Sequence, residues 1–228
     1  MLYCILGDSG SGKDSIVDYL VKLNTCERLV TNTTRPIRIG ETNGKQYIFT
    51  TYDDLMKSID AGEVAEVRRY KVASSDKGWF YYTTKSTLNQ VIDGNYVTAC
   101  SPSQFSSYHK ALPEHVYPII LRVPDADRLI RLINRDENQD IQELYRRFKN
   151  DKDSMSKYID GVDTCHIIDN KYFDETALRI SVLIKSNKLR QDDRLFSFDG
   201  LNLSLSSIID GVSFKSLINI ENPEVQLL

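Results

Sequence analysis

The chain has 228 residues, 41% hydrophobic and 27% charged, enough for one α/β core with a subdomain or tail and a solvated surface. A formal net charge of −3 and an isoelectric point near 5.7 argue against a broad nucleic-acid-binding face, which needs clustered positive charge. No apolar run approaches the roughly 20 residues of a membrane span, and "MLYCIL" lacks the basic leader of a secretory signal. Cys4, Cys26, Cys100 and Cys165 lack the spacing of a disulfide framework or zinc site, and His109, His115 and His166 are equally scattered. A reduced, cytoplasmic setting is the expectation.

In chain order, "LYCIL" (2–6) reads as a buried parallel strand, and Ile16, Leu20 and Leu23 then fall at helical spacing. "NYVTAC" (95–100), "VYPIILRV" (116–123) and "DTCHIID" (163–169) are further strand candidates, separated by helical patterns near 84–92, 103–111 and 125–135. Strands alternating with helices predict an α/β fold, a parallel sheet covered on both faces. Between 31 and 83 the segments "KQYIFTT", "EVAEVRRYKV" and "GWFYYTT" are β-rich and aromatic, around one helical stretch, "TYDDLMKSIDAG". This predicts an inserted mixed subdomain at 31–83 within a core made of 1–30 and 84–188. A charged stretch, "RDENQD", lies inside a candidate lid at about 134–150, and 189–228 reads as an appended β element open to oligomerisation or partner docking.

Gly7, Gly12 and Lys13 satisfy G-x-x-x-x-G-K between a strand and a helix. Glycines let backbone N–H groups converge on one anion, and the helix adds its positive end. Asp8, Ser9, Gly10, Ser11, Gly12, Lys13, Asp14 and Ser15 are therefore the candidate ATP-phosphate site, with Lys13 stabilising the transferred charge. Asp14 stands where such loops usually carry Ser or Thr. It complements the helix dipole, or it touches a magnesium ion or its waters.

A second anion site is suggested by "TNTTRPIRIGETNGKQYIF" (31–49), where Arg35 and Arg38 lie three apart with Tyr47 beyond a turn. Two guanidinium forks and a phenol would grip a terminal phosphate; a solvated basic loop is the plain alternative.

The glycine loop, this run, "AGEVAEV", "WFYYT" and the later arginine pairs make residues 2 to about 185 resemble the guanylate kinase family. The resemblance implies transfer of the ATP γ-phosphate to GMP or dGMP with magnesium, on a phosphate-loop core with a monophosphate subdomain and a lid. It implies that Arg35, Arg38, Tyr47 and Tyr81 hold the acceptor phosphate and that Thr31, Glu66 and Thr83 face the base. A carboxylate at Glu66 can accept from both N1–H and the 2-amino group of guanine, a donor pair that adenine lacks. It also implies that Arg131, Arg135 and Arg147 close over the phosphates. In "ADRLIRLINR", Arg131 and Arg135 are four apart, opposite an expected apolar stripe of Leu129, Leu132 and Ile133. Ordinary surface arginines are the alternative there.

The chain departs from the family where two aspartates usually follow the third core strand, since Cys100 and Pro102 stand there. Asp169, with Asn170 adjacent, replaces the family's adenine-side asparagine. These changes touch metal and base much more than phosphate. The metal ligands stay unassigned, with Asp8 or Asp14 as substitutes. Another (deoxy)nucleoside monophosphate as acceptor, or a catalytically weak protein-binding module, are the alternative readings.

Overall fold

The computed structural model describes residues 1–38, 40–72, 75–134, 145, 148–149 and 166–185. The expected appended element at 189–228 and most of the expected lid, including Arg135, Arg146 and Arg147, lie outside the described residues.

The core is a five-stranded, all-parallel sheet in the order β2 (Glu27–Arg28), β7 (Tyr96–Ala99), β1 (Leu2–Leu6), β8 (Val116–Arg122), β9 (His166–Asp169). Every residue of β1 is buried, because successive side chains alternate between two covered faces. Tyr3 and Ile5 pack with Ile16, Val17 and Leu20 of α1 (Lys13–Lys22) and with Ala177, Ile180 and Ile184 of α6 (Phe173–Lys185). Leu2, Cys4 and Leu6 face the other way. They meet Leu88 of α3 (Lys85–Asn89), Val91 in the short turn Gln90–Ile92, and Phe105 and Tyr108 of α4 (Pro102–Ala111). Each fully buried aliphatic side chain of this kind contributes roughly 1.5–3 kcal/mol.

A second sheet, in the order β4 (Tyr47–Phe49), β3 (Thr31–Thr33), β6 (Ser75–Thr84), β5 (Val64–Val72), is mixed: β3 and β4 run parallel, while β6 is antiparallel to both β3 and β5. Beside these strands in sequence stands α2 (Tyr52–Asp60), closed at its start by a reciprocal cap between Thr51 and Asp54. The register of β5 shifts between Val64 and Glu66, which sets Glu66 opposite Thr83. A bulge of this kind re-aims a side chain.

The expected strands and helices of the core are present, with described ends moved by a few residues, and positions 135 and 163–165 of the expected elements lie outside the described residues. The two-residue strand β2 was not anticipated, because Glu27–Arg28 is too short to show a hydrophobic period. The expected apolar stripe on α5 (Asp125–Ile133) needs correcting. Its buried residues are Arg128 and Leu132, whereas Leu129, Ile130 and Ile133 are exposed. The reason is an ion pair between Arg128 and Asp8 of the glycine loop, which turns a charged face of the helix inward.

Candidate active site

The glycine loop leaves β1 and enters α1 beside the central strand, at the carboxyl edge of the parallel sheet where α/β folds bind ligands. Gly12 is the residue before α1, at φ +88°, and no side chain caps the helix. The first-turn N–H groups therefore remain available to an anion. Gly10 is at φ +80°, and a Cβ there would come within 2.7 Å of the Arg128 carbonyl oxygen, so α5 presses directly against the loop. Asn170 braces the loop from another side: its Nδ2 donates to the Ser11 carbonyl at 2.8 Å, and Arg131 Nη2 donates to the Asn170 carbonyl at 3.1 Å.

Lys13 Nζ donates to the carbonyls of Gly7 (2.6 Å) and Asp8 (2.9 Å), so the ammonium is held at the mouth of its own loop. Ser11 Oγ is buried without a hydrogen-bond partner among the described residues. Arg128 is 1% exposed and reaches Asp8 Oδ2, yet its Nε, Nη1 and Nη2, like Asp8 Oδ1, make no well-directed hydrogen bond. The guanidinium also lies 4.5 Å from the centre of the Phe148 ring. Asp14 and Ser15 are exposed in the first turn of α1. They fit magnesium, which prefers hard oxygens and takes only one or two from protein when it rides on phosphates. Among the described residues, no group of three or more His, Cys, Asp or Glu gathers for a metal, and no helix is long and apolar enough to cross a membrane.

In the second sheet, Arg35 is only 4% exposed. Its guanidinium forks onto Glu41, Nη1 to Oε2 at 2.7 Å and Nη2 to Oε1 at 2.5 Å, with the rings of Tyr47 and Phe49 at 5.2 and 5.3 Å. Glu41 also accepts from the Arg38 backbone N–H at 2.8 Å, while the Arg38 residue is exposed. The hydrogen bonds from Arg35 hold the Glu41 carboxyl below its ordinary range. Tyr81 packs edge-on to Tyr47 at 5.6 Å and interacts with Arg35. The Tyr47 phenol is pushed up by burial, then by Tyr81 and by the Asp14 carboxylate. The charge of Asp14, at the start of α1, thus acts on the arginine–tyrosine cluster.

Next to this cluster, Thr31 is buried on β3 and Glu66 is 8% exposed on β5. Thr83 Oγ1 donates to Glu66 Oε1 at 2.9 Å and Arg68 Nε donates to Oε2 at 3.1 Å. Gln104 and Tyr108 of α4 complete the group: Gln104 Nε2 lies 2.7 Å from Tyr108 Oη and 3.5 Å from Glu66 Oε1, and Tyr108 Oη lies 2.6 Å from Thr83 Oγ1. Burial, then the nearby Cys100 and Glu66, push the Tyr108 phenol well above its ordinary value, so it stays a neutral donor. Of the two residues aligned with the family's aspartates, Cys100 is buried in the core and Pro102 begins α4 behind the Ser101 cap. Asp169 pairs with Arg122 at 2.7 Å on an exposed surface, and its neighbour Asn170 is the residue that meets the loop.

Glu41, Arg68, Gln104, Tyr108 and Arg128 escaped the sequence reading, and Asn170 was noted only as the neighbour of Asp169. Glu41 lay inside the quoted run, three residues after Arg38, and Arg128 lies four before the buried Leu132. Spacing alone could have marked both. Gln104 and Tyr108 read as ordinary helix positions until the second sheet is placed.

A glycine loop at the edge of a parallel sheet, with a second sheet carrying an arginine–tyrosine cluster, defines a phosphate-loop kinase architecture. The guanylate kinase family model matches residues 1–187. The chain is 29% identical over 203 residues to a guanylate kinase of Pseudomonas fluorescens, covering 88% of this chain and 94% of that one. It is 26% identical over 194 residues to a guanylate kinase of a Brugia malayi Wolbachia, covering 84% and 95%. In fold it resembles the crystal structure of guanylate kinase from Anaplasma phagocytophilum, with a TM-score of 0.57 and 24% identity over 82% of this chain and 85% of that one. The chain belongs to the guanylate kinase family.

Proposed function

We propose that the chain is an ATP-dependent guanylate kinase that converts GMP or dGMP to the diphosphate. The observation that carries this reading is the presence of two anion sites on one chain, the glycine loop before the uncapped start of α1 and the buried Arg35 with Tyr47 in the second sheet. The family membership and the names of the relatives support the same substrate class.

On this reading the ATP phosphates lie along Asp8–Ser15, bound by loop and helix N–H groups. Lys13 exchanges its two carbonyl partners for phosphate oxygens. The acceptor phosphate is held by Arg35, Arg38, Tyr47 and Tyr81. Because Glu41 already occupies the fork of Arg35, it orients that guanidinium and the phosphate must share or displace it. A phosphate oxygen of GMP attacks the γ-phosphorus in line, the bond to the ADP oxygen breaks, and Lys13 and Arg131 offset the charge spread over the transferred group. Arg135 and Arg147 are assigned the same task from the lid. Asp14 or Ser15 would offer the protein's oxygen to magnesium, which would supply further charge neutralisation when bound. Glu66 and Thr83 select guanine, since a carboxylate rejects the acceptor-only N1 of adenine. Thr31 lines the same pocket.

The test is a panel of ribo- and deoxynucleoside monophosphates with ATP and magnesium, scored for diphosphate. Turnover of GMP and dGMP well above the other bases is expected. A preference for any other base removes the guanine assignment.

A further inference from the structure

The hydroxyls beside Glu66 leave little freedom in how their protons are arranged. Glu66 Oε1 can only accept, so Thr83 Oγ1 spends its proton there. Thr83 must then accept from Tyr108 Oη, which in turn accepts from Gln104 Nε2. The relay runs one way, from amide to phenol to hydroxyl to carboxylate. It also fixes the Gln104 amide: with the ends exchanged, a carbonyl oxygen would face both a committed hydroxyl and an anionic carboxylate, with no donor for either.

With Nε2 turned inward, Gln104 Oε1 makes no hydrogen bond among the described residues. The residue as a whole is 3% exposed, so this oxygen is an uncommitted acceptor in a largely enclosed place. An open acceptor therefore sits on the same amide whose nitrogen approaches Glu66.

We propose that Gln104 is a specificity-determining residue, whose side-chain Oε1 accepts a hydrogen bond from the exocyclic 2-amino group of the acceptor purine. This rests on the reading that Glu66 faces the Watson–Crick edge of guanine. Glu66 Oε1 already accepts from Thr83 Oγ1 and, at 3.5 Å, from Gln104 Nε2, while Oε2 accepts from Arg68 Nε alone and keeps one lone pair. That lone pair takes N1–H. The 2-amino group then needs an acceptor of its own, and Gln104 supplies it from the core helix, in a chain where Cys100 and Pro102 cannot.

The experiment compares GMP with IMP, which keeps N1–H and lacks the 2-amino group, by kcat/KM in the wild type and in Gln104→Met, an unbranched replacement of similar length. The GMP-to-IMP ratio is expected to fall about tenfold, the worth of one hydrogen bond to an otherwise unpaired group. Tyr108→Phe, which removes the phenol that orients the amide and keeps the ring, is expected to lower the same ratio by a smaller factor. It also serves if the Met variant does not fold. Parallel losses on GMP and IMP would overturn the proposal, reducing Gln104 to a prop for Glu66, and so would an unchanged ratio in both variants. Wild-type enzyme that phosphorylates no guanine nucleotide would instead overturn the underlying acceptor assignment and the proposal with it.

Discussion

On the acceptor side, Arg35 is matched to Glu41, and Glu66 to Thr83, Arg68 and Gln104. On the donor side, six of the seven buried side-chain atoms without a hydrogen bond among the described residues are gathered: Asp8 Oδ1, Ser11 Oγ, Asn170 Oδ1 and three nitrogens of Arg128. The Arg128 nitrogens and the Asp8 carboxylate are held by their ion pair instead, while the Ser11 and Asn170 oxygens have none. The contrast teaches that the two halves are prepared differently. The acceptor half is set in advance by the chain's own side chains and asks a ligand to fit. The loop half holds polar groups in a tight, glycine-dependent turn that the described side chains leave without hydrogen bonds.

The largest effect should come from the donor half. Lys13→Met is expected to lower kcat about a thousandfold, with the acceptor KM changing less than threefold and an unaltered circular dichroism spectrum. A comparable rise in acceptor KM would mean that the halves are not separable. Next is Arg128→Met, which strands the Asp8 carboxylate. A loss of about 3 kcal/mol, or roughly 6–12 °C in Tm, is expected, with most of it recovered in the Asp8→Ala/Arg128→Met double variant. If the double variant is no more stable than the single, the ion pair does not couple loop and helix.

Arg35→Met should act on the other half, raising the acceptor KM about thirtyfold while the ATP KM changes less than threefold. The smallest effect concerns Glu41. Because its folded carboxyl lies below the ordinary range, its contribution to stability is present above the unfolded value and fades as pH falls through the folded one. Glu41→Gln should therefore flatten the acid limb of the stability curve and leave its neutral part nearly parallel to wild type, by at most about 1 kcal/mol, measured by urea melts across pH 3–7.

The core was legible because its strands are doubly buried, and a run such as "LYCIL" admits few other readings. The glycine loop was legible because its chemistry fixes both residue type and spacing. Helix α5 was misread for a physical reason. An apolar count assumes that burial follows hydrophobicity, and here a loop carboxylate pulls Arg128 inward while Ile130 and Ile133 remain 57% exposed. Asp169 and Asn170 show the same limit: the sequence offers two adjacent polar residues, and only the end of β9 decides which one turns toward the loop. Gln104 was illegible because its importance depends on a strand from the second sheet, with Glu66 lying 38 residues away in sequence.

The relay from Gln104 to Glu66 also ties the two sheets together mechanically. Its first two members stand on α4, against the parallel sheet, and its last two stand on β5 and β6. Of its links, only the Tyr108–Thr83 hydrogen bond and the 3.5 Å approach of Gln104 Nε2 to Glu66 Oε1 cross from one side to the other. Parting the sheets would break these two and leave the Gln104–Tyr108 and Thr83–Glu66 bonds whole, so the seam would open at the phenol.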